Sequence, residues 1–286
     1  MKLGVNALIW TTKFDSSFYP ILPSIREHGF DCFELPVFNP SEIAAGELKA
    51  EFENNGLECT VCSILPSGMN PISHDADVRK KTIAHLVACI EVTAKLGAKL
   101  IAGPLYAPVG YLVGRRRSED EWNWAVECFK ALGPVLDSND VTLALEPLNR
   151  FETFFLTTSA DVRDFVDAVG HPRVGAMLDT FHTNIEEKDV AGAFRLLGGR
   201  LKHMHASEND RGIPGTGHVD FPAIVSALGE IGYDGCMTIE SFGFWQSELS
   251  SAAAIWRDLA PTPDSIAFEG VRYLRRVLET KAVTRA

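Results

Sequence analysis

Apolar residues along this chain alternate between two rhythms. Stretches such as Ile83, Leu86, Val87 and Ile90, or Val162, Phe165, Val166 and Val169, repeat at i, i+3, i+4, i+7, the spacing of one helix face. Between them lie short, near-continuous apolar runs, LIAG and VTLAL among them, which suit a sheet covered on both faces. Each helical stretch closes on Gly or Asn, and a β-rich run follows. Gly29 precedes DCFELPV, Gly56 precedes LECTVCSIL, and Gly97 precedes AKLIAG. Asn139 then precedes VTLALE, Gly170 RVGAML, Gly199 RLKHMHA, and Gly232 GCMTIES. Both residue types suit the left-handed position that stops a helix. With the opening run LGVNALIW, the strands number eight. Ser118-Glu-Asp-Glu121 reads as a capping box that seals the first N–H groups of a helix.

Eight β-then-helix units with no Pro/Gly/Ser linker between halves predict one α/β domain over residues 1–286. The expected architecture is a closed (β/α)8 TIM barrel, with a C-terminal extension or helix at about 243–280. A doubly wound open sheet competes with it, but the glycine fingerprint after the first strand is missing; that turn reads WTTKFDSS.

Charge narrows the partners. Against 38 Asp+Glu stand 27 Lys+Arg, a formal net charge of −11, which excludes the polyanionic partners that need cationic neutralisation: no nucleic acid and no membrane. The N-terminus lacks signal-peptide regions, and no apolar stretch reaches the roughly 18–20 residues of a membrane span. A cytoplasmic enzyme is expected. Cys59 and Cys62 imitate a redox pair, but three residues apart on a strand they point to opposite faces, so they read as buried structural thiols.

In such barrels the chemistry sits at the C-terminal ends of the strands. Strands five to eight end on Glu146, Asp179, His205 and Glu240, each closing an apolar run with one ionisable group. Three carboxylates and an imidazole converging at one mouth repel each other unless a cation joins them. Oxygen-rich ligation with a single nitrogen favours Mn²⁺, with Mg²⁺ or Co²⁺ also compatible, over structural Zn²⁺. His203 shares a strand face with His205, so geometry permits either; His205, nearer the strand end, is assigned to the metal and His203 to packing or support.

The motifs around these positions carry a resemblance. Glu146-Pro-Leu-Asn-Arg-Phe-Glu152, Leu178-Asp179-Thr-Phe-His182, His205-Ala-Ser-Glu-Asn-Asp-Arg211, Gly215-Thr-Gly217 and Ile239-Glu240-Ser-Phe242 resemble the ketose 3-epimerases of the xylose-isomerase-like barrel superfamily. The resemblance implies that Glu146 and Glu240 bind the metal and also serve as the catalytic acid/base pair. Asp179 and His205 complete the metal set, and Glu152, His182 and Arg211 contact the O1–O3 end of a sugar. The implied reaction is epimerisation at C3 of a free ketose, a ketohexose or ketopentose, through a metal-stabilised enediolate. Two carboxylates on opposite sides of a planar intermediate remove and return the proton. Pro147-Leu148 and the HASENDR variant leave open a keto-sugar or 2-keto-myo-inositol isomerase using the same metal. A DNA-directed metal hydrolase is disfavoured by the acidic charge and the shortage of histidines. A homodimer or homotetramer is expected.

Several other residues stand at positions where chemistry or packing could use them. Trp10 and Tyr106, after strands one and four, are candidate walls of a sugar pocket. Arg115-Arg116-Arg117 suits a phosphate grip or a solvated face. Gly215 and Gly217 are weak candidates for an anion cradle. The segment from Phe242 to Pro263, with Trp245 and Trp256, suits a lid or subunit contact, and Trp122 and Trp124 read as helix packing.

Overall fold

A computed structural model describes residues 1–242 and 253–285, with side chains through Thr280; Trp245 lies outside the described residues. The strands are β1 (Lys2–Asn6), β2 (Cys32–Pro36), β3 (Glu58–Cys62), β4 (Leu100–Gly103), β5 (Thr142–Leu145), β6 (Val174–Asp179), β7 (Leu201–His205) and β8 (Cys236–Ile239). They pair in parallel and in chain order, and β1 pairs with β8 to close the barrel. Closure excludes the open-sheet alternative. Helices lie between the strands, and Pro263–Arg285 forms a long helix after β8.

Local chemistry explains the boundaries. The Ser118/Glu121 capping box is present, and a second one, Thr158 with Asp161, opens the helix Ser159–Val169. Val162, Phe165, Val166 and Val169 all lie on its buried face. In two turns the left-handed residue falls one place from the expected one: Asp140 rather than Asn139, and Gly198 rather than Gly199. β1 is shorter than its apolar run, because the Asn6 side chain accepts from the Leu8 N–H and caps a 3-10 turn over Ala7–Ile9.

Alternation along the strands separates two environments. Val5, Phe33, Leu35, Val61, Ile101, Leu143, Leu178, Met204 and Ile239 join the main apolar core. Ala102, Ala144 and Met177, one place out of step, form a separate small cluster inside the barrel. The interior positions of the other strands carry Asn6, Glu34, Thr60, His203, His205 and Thr238. The interior is therefore apolar beneath β4–β6 and polar beneath the rest.

One pairing was not anticipated from spacing. Cys32 and Cys236, separated by 204 positions, form a disulfide. Their strands flank β1, and Gly4 lies between them; a Cβ there would stand 2.8 Å from the Cys236 sulfur and 3.2 Å from the Cys32 Cβ. Cys59 and Cys62 are both free; Cys62 is buried as expected, whereas Cys59 is only half-buried.

Candidate active site

The strand register brings the polar groups together. β6 pairs with β7 so that Asp179 stands opposite His205, after a register shift between Ala176 and Met177. Such irregularities re-aim side chains beside functional sites. Glu146 and Glu240 directly follow β5 and β8, so they reach the same mouth. One donor atom from each of Glu146, Asp179, His205 and Glu240 lies within 4.8 Å of the others, and all four residues are buried.

The electrostatics are strongly perturbed. Burial pushes Glu146 well above the carboxylate range; the Glu240 and Asp179 charges add to this and His205 only partly offsets it. Burial also raises Glu240, but His205 and Arg211 more than reverse that and hold it down at about 2. Burial lowers His182 to about 3, which keeps its imidazole neutral.

The donor set fits a divalent cation. Glu146 Oε1 and His205 Nδ1 are buried with no hydrogen-bond partner, and both belong to the converging set. Orphaned buried polar atoms are costly unless something else engages them. Three carboxylates there face one guanidinium, Arg211, so negative charge remains in excess.

Arg211 is itself buried. Its Nη1 donates to Asp179 Oδ2 at 2.6 Å, Glu240 Oε2 at 2.7 Å and Ser207 Oγ at 3.1 Å. The guanidinium lies over the rings of Phe181 (4.2 Å) and Phe242 (4.8 Å). Its backbone is left-handed, with φ 67°, an uncommon conformation for a residue with a side chain. The Ser241 hydroxyl donates to the Arg211 carbonyl at 2.6 Å and holds it there.

Asn149 ties the two remaining predicted contacts together. Its amide Nδ2 donates to Glu152 Oε1 at 2.7 Å and lies 2.9 Å from His182 Nδ1, which also accepts from the Asn149 backbone N–H. Arg150, next in the motif, turns outward to chelate Glu186 and staples the loop to the helix Thr180–Glu186. Glu146, Glu152, His182, His205, Arg211 and Glu240 line a cavity of about 460 Å³.

Two candidate wall residues do not line this cavity. Trp10 sits past the shortened β1; its Nε1 donates to Asp264 Oδ1 at 2.7 Å and its ring packs on Phe268 of the C-terminal helix. Tyr106 is fully buried against Phe155, donating to the Leu156 carbonyl at 3.1 Å and accepting from the Leu148 N–H at 3.3 Å. It braces the Glu146–Glu152 loop from behind. Phe38, Ile64, Val109, Phe151 and Phe242 supply the apolar wall instead.

The other candidates divide between ion pairs, loop packing and exposed surface. Arg115 is paired with Glu121 and Arg117 with Asp161, which leaves the arginine run as a stapled face. Gly217 exists for close approach: a Cβ there would stand 2.5 Å from Glu208 Oε1. The buried Glu208 carboxylate accepts from the Asn209, Gly215 and Val219 N–H groups and organises that loop. Trp122 packs edge-on against Phe165, and Trp124 lies beneath Arg79. Trp256 is 78% exposed.

Sequence reasoning missed Glu34. Fully buried in β2, its Oε1 accepts from His205 Nε2 at 2.6 Å, and its Oε2 lies 2.6 Å from His203 Nε2; of the two, the His205 contact has hydrogen-bond geometry. The available signal was a carboxylate inside the apolar run CFELP.

The chain matches the family model of xylose isomerase-like TIM barrels over residues 22–277. It is 36% identical to a probable ketose 3-epimerase of Synechocystis sp., covering 98% of both chains. A solved L-ribulose 3-epimerase superposes with TM-score 0.93 at 31% identity, over 99% of this chain and 96% of the other. D-psicose 3-epimerase from Clostridium cellulolyticum, solved with D-tagatose, superposes with TM-score 0.87 at 31% identity, over 97% and 99%.

Proposed function

The chain belongs to the ketose 3-epimerases among the xylose isomerase-like TIM barrels, and from that premise we propose that it inverts C3 of a free ketose with the help of one divalent metal. The observation that carries this reading is the buried convergence of Glu146, Asp179, His205 and Glu240, with two of their donor atoms unpartnered. Oxygen-rich ligation favours Mn²⁺.

A metal held by these four residues would supply Lewis acidity toward the ketone oxygen and the hydroxyl beside it. Glu146 and Glu240 come from strands three places apart around the barrel, a separation that would let them approach the reacting carbon from different sides. One takes the C3 proton and the other returns a proton to the opposite face, so the planar intermediate need not turn over. Arg211 and His182, whose Nη2 and Nε2 lie 3.2 Å apart, would face the O1–O3 end, and Glu152, fixed by Asn149, would accept from a hydroxyl there. Burial of Glu146, His182, Arg211 and Glu240 strengthens each of their electrostatic contacts.

The cavity also speaks to substrate class. Among the described residues Arg211 is the only Lys or Arg lining it, and that guanidinium is engaged by Asp179 and Glu240. No cation is left for a phosphate, which supports an unphosphorylated sugar. No helix among the described residues is long and apolar enough to cross a membrane.

Incubation with Mn²⁺ and a panel of ketohexoses and ketopentoses in D₂O tests the reaction. The expected result is a C3 epimer carrying deuterium at C3. Recovery of every ketose without epimer or deuterium would overturn it.

A further inference from the structure

We propose that Glu34 is a positioning residue for the metal centre, fixing His205 so that Nδ1 is the atom presented to the metal. The inference rests on the metal reading above and adds a residue outside the four-donor set. Glu34 occupies an interior position of β2, where the register places it between Asn6 of β1 and Thr60 of β3. Its carboxylate collects donors from three neighbouring directions. Asn6 Nδ2 donates to Oε1 at 2.8 Å, Thr60 Oγ1 donates to Oε2 at 3.1 Å, and His205 Nε2 reaches Oε1 at 2.6 Å. His203 flanks Oε2 from the same strand as His205.

An ionised carboxylate only accepts, so the short contact requires a hydrogen on His205 Nε2. Whatever occupies Nδ1, that nitrogen alone is left for ligation. It is also the nitrogen that faces the mouth: it lies 3.3 Å from Glu240 Oε2 and has no hydrogen-bond partner. Ring orientation and tautomer are thus set from beneath, by a group whose own position is fixed by Asn6 and Thr60. Carboxylates that grip the far nitrogen of a ligating histidine orient it and increase its donor strength.

A purely structural role makes a different forecast. A fully buried carboxylate is expensive to hold, and replacing such groups by neutral ones is often neutral or stabilising. If Glu34 serves the fold alone, its loss alters stability and leaves metal affinity untouched.

The test is Co²⁺ titration of chelator-treated protein in the absence of sugar, read by calorimetry and by the visible absorption of bound Co²⁺. Glu34→Gln and Glu34→Asp should each bind Co²⁺ about 10- to 100-fold more weakly than the parent, with an altered absorption band. Far-UV circular dichroism of the chelator-treated proteins should be unchanged. Should Glu34→Gln not fold, the charge-retaining Glu34→Asp decides. Affinity within about threefold of the parent, with the same band, would overturn the role of Glu34 and leave the epimerase reading intact. Absence of Co²⁺ binding by the parent would instead overturn the metal reading, and this inference with it.

Discussion

The two ends of the barrel enclose cavities of nearly equal size, about 460 Å³ at the C-terminal mouth and about 450 Å³ at the N-terminal mouth. Both are rich in ionisable groups, so neither volume nor charge separates them. At the N-terminal end Lys2 pairs with Glu58, Lys49 with Glu53 and Lys99 with Asp140, and these side chains are 46–68% exposed to water. At the C-terminal end Asp179 is fully buried, Glu146 and Glu240 are nearly so, and two donor atoms in the cluster lack partners. A catalytic cavity differs from a packing gap in holding charge that the protein has not satisfied by itself. A column of side chains links the two ends: His203 lines the N-terminal cavity and abuts Glu34, which holds His205 at the C-terminal mouth.

The largest effect should follow from removing a carboxylate at the C-terminal mouth. Glu146→Gln and Glu240→Gln are expected to lower kcat for C3 epimerisation by about 10²–10⁴-fold each, the worth of a positioned acid or base. Steady-state assay on a converted ketose measures this, with circular dichroism to verify folding. Near-parental turnover in either variant would break the acid/base assignment. Arg211→Lys should give a smaller loss in kcat/KM, about 10- to 100-fold. A lysine cannot span Asp179 and Glu240 while lying flat between Phe181 and Phe242. Should Arg211→Lys keep full kcat/KM, positive charge alone would suffice and the planar geometry would be irrelevant.

The contrast also explains what was legible in the sequence. Strand ends marked by a single ionisable residue pointed to the metal set, because closing an apolar run with Glu, Asp or His is costly unless the group has work to do there. Glu34 escaped the same rule because it lies two residues inside its strand, where only the register reveals that Asn6 and Thr60 are its neighbours. Trp10 was misplaced for a related reason. The run ALIW extends the apolar pattern past Asn6, but the Asn6 cap has already ended the strand, and the ring turns toward the C-terminal helix. Tyr106 shows the limit for aromatics. A ring following a strand can face the mouth or the core, and here the bonds of its hydroxyl to Leu148 and Leu156 hold it in the core. The Cys32–Cys236 disulfide depends on barrel closure, which brings β2 and β8 to either side of Gly4; no spacing along the chain encodes that.

The smallest effect belongs to the N-terminal mouth, and its smallness is the sharper test. Lys2 Nζ lies 2.5 Å from Glu58 Oε1, yet the two side chains are 46% and 64% exposed. In water each ion exchanges its partner for solvent at little loss, and such pairs contribute under about 1 kcal/mol. Lys2→Ala should therefore shift the thermal midpoint by no more than a few degrees and leave kcat within about twofold. Salt should erase even that shift, since exposed charges are screened over roughly 10 Å at 0.1 M. A tenfold fall in kcat on Lys2→Ala, with the fold intact, would mean that the two ends are coupled. The path available is the interior column of His203, Glu34 and His205, and Glu34→Gln combined with Lys2→Ala would then give losses that fail to add.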